Sequence, residues 1–270
     1  MSADVVLASE GGCHLLSGCG FPAPGADIFI FQPMFSIGSF EVTKPDFVAA
    51  ICAVVLLGFF WAAFSKTKLV PSRIQSLGEL GYLFVRDQVA RPMIGKEGDR
   101  FLPYLMSLFF FIWILNFMAF VPFIQFPVTS RIVFPATFAL ISWVIYMFLT
   151  FKRNGLVGGF RNLAVPSGLP GWVYILLTPI ELLSNVFIRP FTLTIRLFAN
   201  MFAGHMLIAV FSVGAWYLVS PSIIGLASAT ASFVMAIVMT VFELLIQALQ
   251  AYIFTMLVAS YIGQALEEAH

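Results

Sequence analysis

The chain has 270 residues, of which 60% are hydrophobic and only 10% are charged. Its mean hydropathy is +0.98. Soluble chains carry about a quarter charged residues, so too few polar side chains remain here to cover a water-soluble globule. A net charge of +1 argues against a nucleic-acid partner. These figures predict an integral membrane protein.

Residues 1–45 form a segment rich in Gly, Pro and Ser, in which Lys44 is the single base. No basic stretch precedes an apolar run here, so we do not expect a cleaved signal peptide. Cys13 and Cys19 lie in this segment, where they could pair or remain free thiols. Cys52 falls inside the first predicted span.

The first predicted span covers 46–64, close to the ~20 residues that cross ~30 Å of hydrocarbon. An amphipathic helix is predicted over 71–91, because Pro71 suits a first helical turn and apolar residues follow at helical spacing. These residues are Ile74, Leu77, Leu80 and Phe84. The helix either lies along the membrane surface or is an ordinary solvated connection.

Two further spans are predicted over 101–126 and 132–151. Asn116, inside the first of them, is expected to make an interhelical hydrogen bond. The basic stretches 65–100 and 152–170 should both face the cytoplasm, because cytoplasmic loops are enriched in Lys and Arg. The amino terminus then lies outside.

The last part of the chain holds two long apolar stretches, 171–219 and 223–263, separated by a turn at Pro221. As straight helices they would be roughly 74 and 62 Å long, so each is either steeply tilted or broken. We favour a tilted hairpin that returns the carboxyl terminus to the cytoplasm. The predicted fold is therefore an all-α polytopic membrane protein with about five membrane helices and one interfacial helix.

Polar residues interrupt this hairpin. A guanidinium such as that of Arg196 costs from ~2.5 to over 10 kcal/mol in mid-membrane. Ala199 and Ala203 share its helical stripe, which would let another helix approach closely, and Asn200 is its nearest polar companion. On the second helix the spacing of four and three residues places three polar side chains on one face. These are Glu243, Gln247 and Gln250.

A turn near Pro221 would set Arg196 level with position 246 and Asn200 level with 242. His205 would lie level with 237, about 9 Å along the axis from Glu243. The hairpin is thus predicted to gather one cation, one carboxylate, one imidazole and several amides into a single polar layer.

The chemistry of this layer favours proton conduction in two separated halves. Arg196 stays protonated even when desolvated, so it suits an electrostatic gate, whereas Glu243 and His205 can exchange protons. The alternative is a structural ion pair that fastens two helices, and His205 alone could be a satisfied interior histidine. Glu181 and Arg189 are equally open to a structural interpretation.

Two runs resemble a known family. Ile195-Arg196-Leu197-Phe198-Ala199-Asn200-Met201-Phe202-Ala203-Gly204 is similar to the signature of subunit a of the F-type ATP synthase. Leu249-Gln250-Ala251-Tyr252-Ile253-Phe254 is similar to its second signature. The resemblance covers the chain well from about residue 101 onward and covers residues 1–45 poorly.

The resemblance implies a stator subunit that conducts protons through two offset half-channels and is not catalytic by itself. Arg196 would be the essential gate facing a rotor carboxylate, with Gln250 beside it. Asn200, His205, Glu243 and Gln247 would line the proton path. His205 and Glu243 stand in the opposite order from many relatives, and Ala199 replaces a common glycine. No cofactor or metal is expected.

The implied partners are the c-ring, the peripheral-stalk subunit b, the rest of the complex and the lipid bilayer. H⁺ is favoured over Na⁺ as the transported ion, although the selecting site would lie on the rotor. The expected location is the inner (plasma) membrane, as a multi-pass protein. A self-contained ion-coupled transporter is the alternative, but it would need a substrate pocket and usually internal repeats.

Overall fold

The computed structural model describes residues 13–18, 20–29, 31, 33–37, 40–65, 68, 70–122, 124–164 and 174–266. These residues are almost entirely helical, which confirms the predicted all-α class. Five helical segments are long and apolar enough to cross a membrane, so the chain is a multi-pass membrane protein. Cys19, the predicted loop residues 165–170 and the end of the chain after Leu266 lie outside the described ranges.

A short antiparallel hairpin, which the sequence analysis did not predict, precedes the first span. It consists of β1 (Pro33–Ile37) and β2 (Phe40–Thr43). Helix α1 (Lys44–Phe64) follows directly. Asp46 lies in its first turn, where a carboxylate offsets the positive helix end, and accepts a hydrogen bond from the Thr43 backbone N–H at 3.0 Å.

The two described cysteines differ in state. Cys13 is disulfide-bonded, whereas Cys52 is a buried free thiol in α1. Of the two predicted states, a disulfide or a free thiol, the structure shows the disulfide for Cys13. Cys19 lies outside the described residues.

Helix α2 spans Arg73–Val85. Its N-cap residue is Ser72, whose side chain accepts a hydrogen bond from the Gln75 backbone N–H. Gln75 itself is buried and donates to the carbonyl of Lys68 at 3.1 Å. The apolar stripe is exposed instead: Ile74, Leu77, Leu80 and Phe84. An exposed apolar stripe is typical of a helix that lies in a membrane surface, and that location stays a prediction.

The chain continues from α2 through a π-helical turn (Arg86–Ala90), a short helix (Arg91–Ile94) and a 3-10 segment (Gly95–Arg100). Helix α3 (Leu102–Phe117) then extends by one 3-10 turn to Phe120. It ends before the predicted limit at 126, because Pro122 disfavours the α conformation of the residue before it.

Helix α4 (Val133–Ala164) continues past the predicted limit at 151, with a break at Gly155, whose φ is 69°. Lys152 and Arg153 therefore lie on a helix end rather than in an open loop.

The last two membrane-crossing segments are very long. Helix α5 (Tyr174–Leu183) passes through a π-helical turn (Ser184–Ile188) into α6 (Arg189–Tyr217), and α7 (Ile223–Leu266) has 44 residues. Pro179 and Pro190 stand on either side of that π turn, where each removes a helical hydrogen bond. At 1.5 Å per residue α7 is about 66 Å long. Its tilt in a membrane stays a prediction.

The chain divides into two compact units. Unit 1 combines residues 1–51, 115–131 and 199–249, and unit 2 combines 52–114, 132–198 and 250–270. In unit 2 the Tyr146 hydroxyl donates to the Asn185 carbonyl at 2.8 Å, and Asn185 Nδ2 donates to the Leu163 carbonyl at 2.7 Å. Arg189 stacks 4.6 Å from the ring of Tyr261, and it makes no ion pair with Glu181 in the described structure.

A close backbone approach in unit 2 gives a test of this packing. A Cβ at Gly263 would overlap the carbonyl oxygen of Met93, whereas nothing lies within 4 Å of a Cβ at Gly58. We expect Gly263→Ala to cost about 1–3 kcal/mol through overpacking and to lower the melting temperature of the detergent-solubilised protein. Gly58→Ala, also in a helix, should leave it unchanged or raise it slightly. Equal melting temperatures for both variants would contradict this packing.

Candidate functional site

The six predicted site residues lie on α6 and α7. Arg196 and Gln250 belong to unit 2. The other four belong to unit 1: Asn200, His205, Glu243 and Gln247. Each unit therefore holds a distinct part of the predicted layer.

In unit 2 the guanidinium of Arg196 is exposed on an apolar helix. Leu197, the next residue, is fully buried, so α6 turns its cation away from the protein. Among the described residues Arg196 makes no ion pair and no hydrogen bond. A cation without a partner in hydrocarbon would raise the free energy by at least ~2.5 kcal/mol. Its compensation must therefore come from water or from another molecule.

Two small residues follow Arg196 on α6. Ala203 is exposed and Ala199 is partly exposed, and both belong to unit 1. Such a surface permits close approach by a second helix. Gln250, the other predicted residue of unit 2, is buried.

In unit 1 the carboxyl group of Glu243 is buried, with only 2% of the residue exposed. Its Oε1 accepts a hydrogen bond from Gln247 Nε2 at 3.4 Å. Glu243 Oε2 and Gln247 Oε1 are both buried and have no partner in the described structure. Most buried polar atoms in proteins are paired, so each exception calls for an explanation such as a bound water or a functional role.

Gly204 brings α6 against this carboxyl group. A Cβ at position 204 would lie 3.2 Å from both Cδ and Cγ of Glu243, closer than a side chain normally tolerates. The absence of a side chain at 204 is therefore what gives the Glu243 carboxyl its room.

The predicted register of the hairpin is confirmed near the turn. Ser232 donates to the Phe211 carbonyl at 2.9 Å, as a turn near Pro221 requires. Farther along, the side chain of Glu243 reaches Gly204, which was predicted to lie level with 238. This contact involves the Glu243 side chain, so the predicted six-residue offset between the backbones of His205 and Glu243 stays a prediction. Helical side chains point towards the amino terminus of their own helix, which carries the carboxyl group about one turn closer.

His205 is partly buried against aromatic rings. The centroid of the Phe29 ring lies 6.0 Å from that of the imidazole, and the centroid of Phe126 lies 6.5 Å from it. Both rings meet the imidazole edge to face, and Phe29 also packs 4.5 Å from Phe202. Phe29 could not be predicted as a site residue, because a single Phe among 31 carries no signal of its own.

A second buried polar group joins this part of unit 1. Asn116 Nδ2 donates to the Gln247 carbonyl at 3.5 Å, which confirms the predicted interhelical hydrogen bond. The hydroxyl of Thr129 donates to Asn116 Oδ1. Asn116, Thr129 and Gln247 are all at most 1% exposed. The burial of Thr129, which lies in a 3-10 turn (Val128–Ser130), could not be predicted from the sequence.

The polar groups of the predicted site are oxygen and nitrogen atoms of carboxyl, imidazole, amide and guanidinium side chains. In the described ranges no group of three or more His, Cys, Asp or Glu side chains could hold a metal ion. Among the six predicted site residues, the structure offers the exposed permanent cation of Arg196 in unit 2 and the buried carboxyl group of Glu243, with one unpaired oxygen, in unit 1.

Comparison with known proteins gives a consistent result. The sequence profile of the family described as "ATP synthase A chain" matches residues 47–263. ATP synthase subunit a of Streptomyces lividans is 47% identical over 268 residues, covering 98% of this chain and 95% of that protein. The subunit a of Frankia alni is 43% identical, covering 92% and 86% of the two chains, respectively. That of Nocardioides sp. is 39% identical, covering 100% and 99%.

Proposed function

We propose, because the chain belongs to the ATP synthase A chain family, that it is the proton-conducting stator subunit in the membrane sector of the F-type ATP synthase. The observation that carries the proposal is Arg196, an exposed guanidinium on an apolar helix with no partner in the described structure. A group so placed suits a carboxylate that arrives on another subunit. The subunit is not catalytic by itself.

Arg196 acts in this proposal as an electrostatic gate between two offset half-channels. Its charge is permanent, so it holds a passing carboxylate of the rotating c-ring in the ionised form. It also repels a hydrated proton that would otherwise leak directly between the half-channels. The contact must be hydrated and exchangeable, because a desolvated ion pair in a low-dielectric site would hold the ring in place.

The outer half-channel uses the polar groups of unit 1. Glu243 Oε2 is buried and unpaired, so it can bind a water molecule or a proton in transit. Gln247 fixes the other carboxyl oxygen. We assign His205 and Asn200 to the same path, and the bond from Asn116 to the Gln247 carbonyl anchors it. Gln250 is assigned to the region of the gate.

Protons enter from the outer side in this scheme and neutralise a rotor carboxylate, which then travels almost a full circle before discharging into the cytoplasmic half-channel. A membrane potential of ~100 mV supplies about 2.3 kcal/mol per proton.

The partners are the c-ring, peripheral-stalk subunit b and the rest of the complex. We assign the carboxyl terminus to the cytoplasm and the amino terminus to the outside of the plasma membrane, because cytoplasmic loops are enriched in Lys and Arg.

Arg196→Ala should abolish proton-driven ATP synthesis, because no permanent charge would then ionise the rotor site or block the leak. The measurement is ATP synthesis by membrane vesicles under an imposed proton gradient. Arg73→Ala, which removes an exposed arginine from α2, is the matched control and should retain synthesis. Immunoblots should show both proteins in the membrane at normal levels. Coupled synthesis by Arg196→Ala would refute the gate.

Coupling between His205 and Glu243 can be tested by exchanging them. His205→Glu and Glu243→His should each slow ATP-driven proton pumping about 100-fold, the range expected for loss of a proton-transfer group. The double exchange should recover part of that loss, because it restores one carboxyl group and one imidazole. Pumping is followed by the quenching of a pH-sensitive dye in inverted vesicles. A double variant no better than either single one would show that the two residues are uncoupled.

Gly204→Ala should displace the Glu243 carboxyl, because the added methyl group would crowd Cδ and Cγ. We expect a clear loss of proton pumping with a normal amount of assembled subunit. Adding Glu243→Asp to Gly204→Ala shortens the acidic side chain by one methylene and should restore part of the pumping. Full activity of Gly204→Ala would mean that the precise position of the carboxyl group does not matter.

A further inference from the structure

A cavity of about 550 Å³ lies in unit 2. It is lined by Lys96, Glu97, Arg100, Phe101, Leu149, Lys152, Arg153 and Leu266. Four of these eight residues are basic and one is acidic. The cavity thus combines a marked positive charge with an apolar wall.

The lining residues come from the ends of membrane-crossing helices. Phe101 immediately precedes α3, Leu149 and Lys152 close the apolar part of α4, and Leu266 is the last residue of α7. Since these ends mark where apolar helix surface gives way to charged residues, the cavity lies at the expected boundary between hydrocarbon and water.

The charges of the cavity are only partly balanced. Arg153 Nη1 lies 2.9 Å from Glu97 Oε2, so the charges of these two side chains neutralise each other. Lys96, Arg100 and Lys152 make no ion pair with any described residue. Three positive charges of the cavity are therefore without an anionic partner in the part of the chain that the structure describes.

The nearby arginines outside the cavity are in a different state. Arg86 and Arg91 both hydrogen-bond Asp99, and these bonds hold the pKa of the Asp99 carboxyl below its usual range. Asp99 therefore stays anionic and neutralises part of their charge. The excess positive charge of this region is concentrated in the cavity.

An anionic phospholipid matches both parts of the lining. Its phosphate would accept hydrogen bonds from the Arg100 guanidinium and from the ammonium groups of Lys96 and Lys152. Its glycerol and acyl carbons would lie along Phe101, Leu149 and Leu266. Basic pockets between membrane helices on the cytoplasmic side are typical binding sites for anionic headgroups, and a volume of this size accommodates one such group.

We propose that this cavity binds the headgroup of an anionic phospholipid through Lys96, Arg100 and Lys152. The lipid would fasten the ends of α3, α4 and α7 at the membrane surface. The proposal does not depend on proton conduction, so its test uses lipid binding as the readout and not ATP synthesis.

The test compares two double variants that each remove two exposed charges from the same predicted face. Arg100→Gln/Lys152→Gln alters the cavity, and Lys68→Gln/Arg73→Gln alters positions outside it. The purified complex in nonionic detergent is titrated with phosphatidylglycerol and, separately, with phosphatidylcholine of the same chain length, and bound lipid is counted by native mass spectrometry. We expect the cavity variant to lose about tenfold in affinity for phosphatidylglycerol, the change that corresponds to ~1.4 kcal/mol. The control variant should bind like the wild type.

Three results would overturn the proposal. Equal affinity of both double variants would place the lipid elsewhere. Displacement of phosphatidylglycerol by a similar concentration of inorganic phosphate would show a site for free phosphate and not for lipid. Truncation of the chain after Leu266 removes the acidic residues Glu267 and Glu268. A marked gain in lipid affinity would show that these residues, and not a lipid, occupy the cavity. Unchanged affinity supports lipid binding in the cavity.

Discussion

The cost of placing a charge in an apolar environment governs this structure. Helices α6 and α7 carry Arg196 and Glu243 within their apolar stretches, and each residue meets that cost in a different way. Glu243 is buried with one carboxyl oxygen bonded to Gln247 and the other unpaired, an arrangement suited to gaining and losing a proton. Arg196 cannot become neutral, yet it is exposed on an apolar helix. Its position is explained most simply if a second subunit supplies the opposite charge, because a bare guanidinium in hydrocarbon is too costly to persist.

The features that depend on local sequence could be predicted. Hydropathy and length identified five membrane-crossing helices, and helical spacing placed Glu243 and Gln247 on one buried face. Contacts between distant parts of the chain could not be predicted in the same way. The packing of Phe29 against His205 and the bond from Thr129 to Asn116 join segments far apart in sequence. Aromatic and hydroxyl side chains are common enough that neither residue stands out.

Small geometric effects could also not be predicted from the sequence. The register of the hairpin was predicted from the turn alone, which treats side chains as level with their own backbone. The Glu243 side chain instead reaches back towards the amino terminus of α7 and meets Gly204. Similarly, α3 stops early because of Pro122, while α4 runs on past its apolar part to Ala164. In each case hydropathy and length identified the element, and steric detail determined where its atoms lie.

The charges of the chain thus fall into two classes. Those at helix ends are partly paired at the expected membrane boundary, as Arg153 is with Glu97, and suit anchoring and lipid contact. Those within the apolar stretches are few, and the proposed function assigns proton exchange to Glu243 and a fixed charge to Arg196. This separation follows from energetics: a charge at the boundary costs little, so only a functional role justifies one at greater depth.

The most direct test of the gate is an experimental structure of the assembled complex in a membrane-like environment, with the distance from the Arg196 guanidinium to the nearest c-ring carboxylate as the measurement. We predict that the two groups lie within ~4–6 Å of each other, near enough for a strong charge interaction or one bridging water. An Arg196 side chain surrounded by lipid acyl chains, with no rotor carboxylate nearby, would contradict the proposed role.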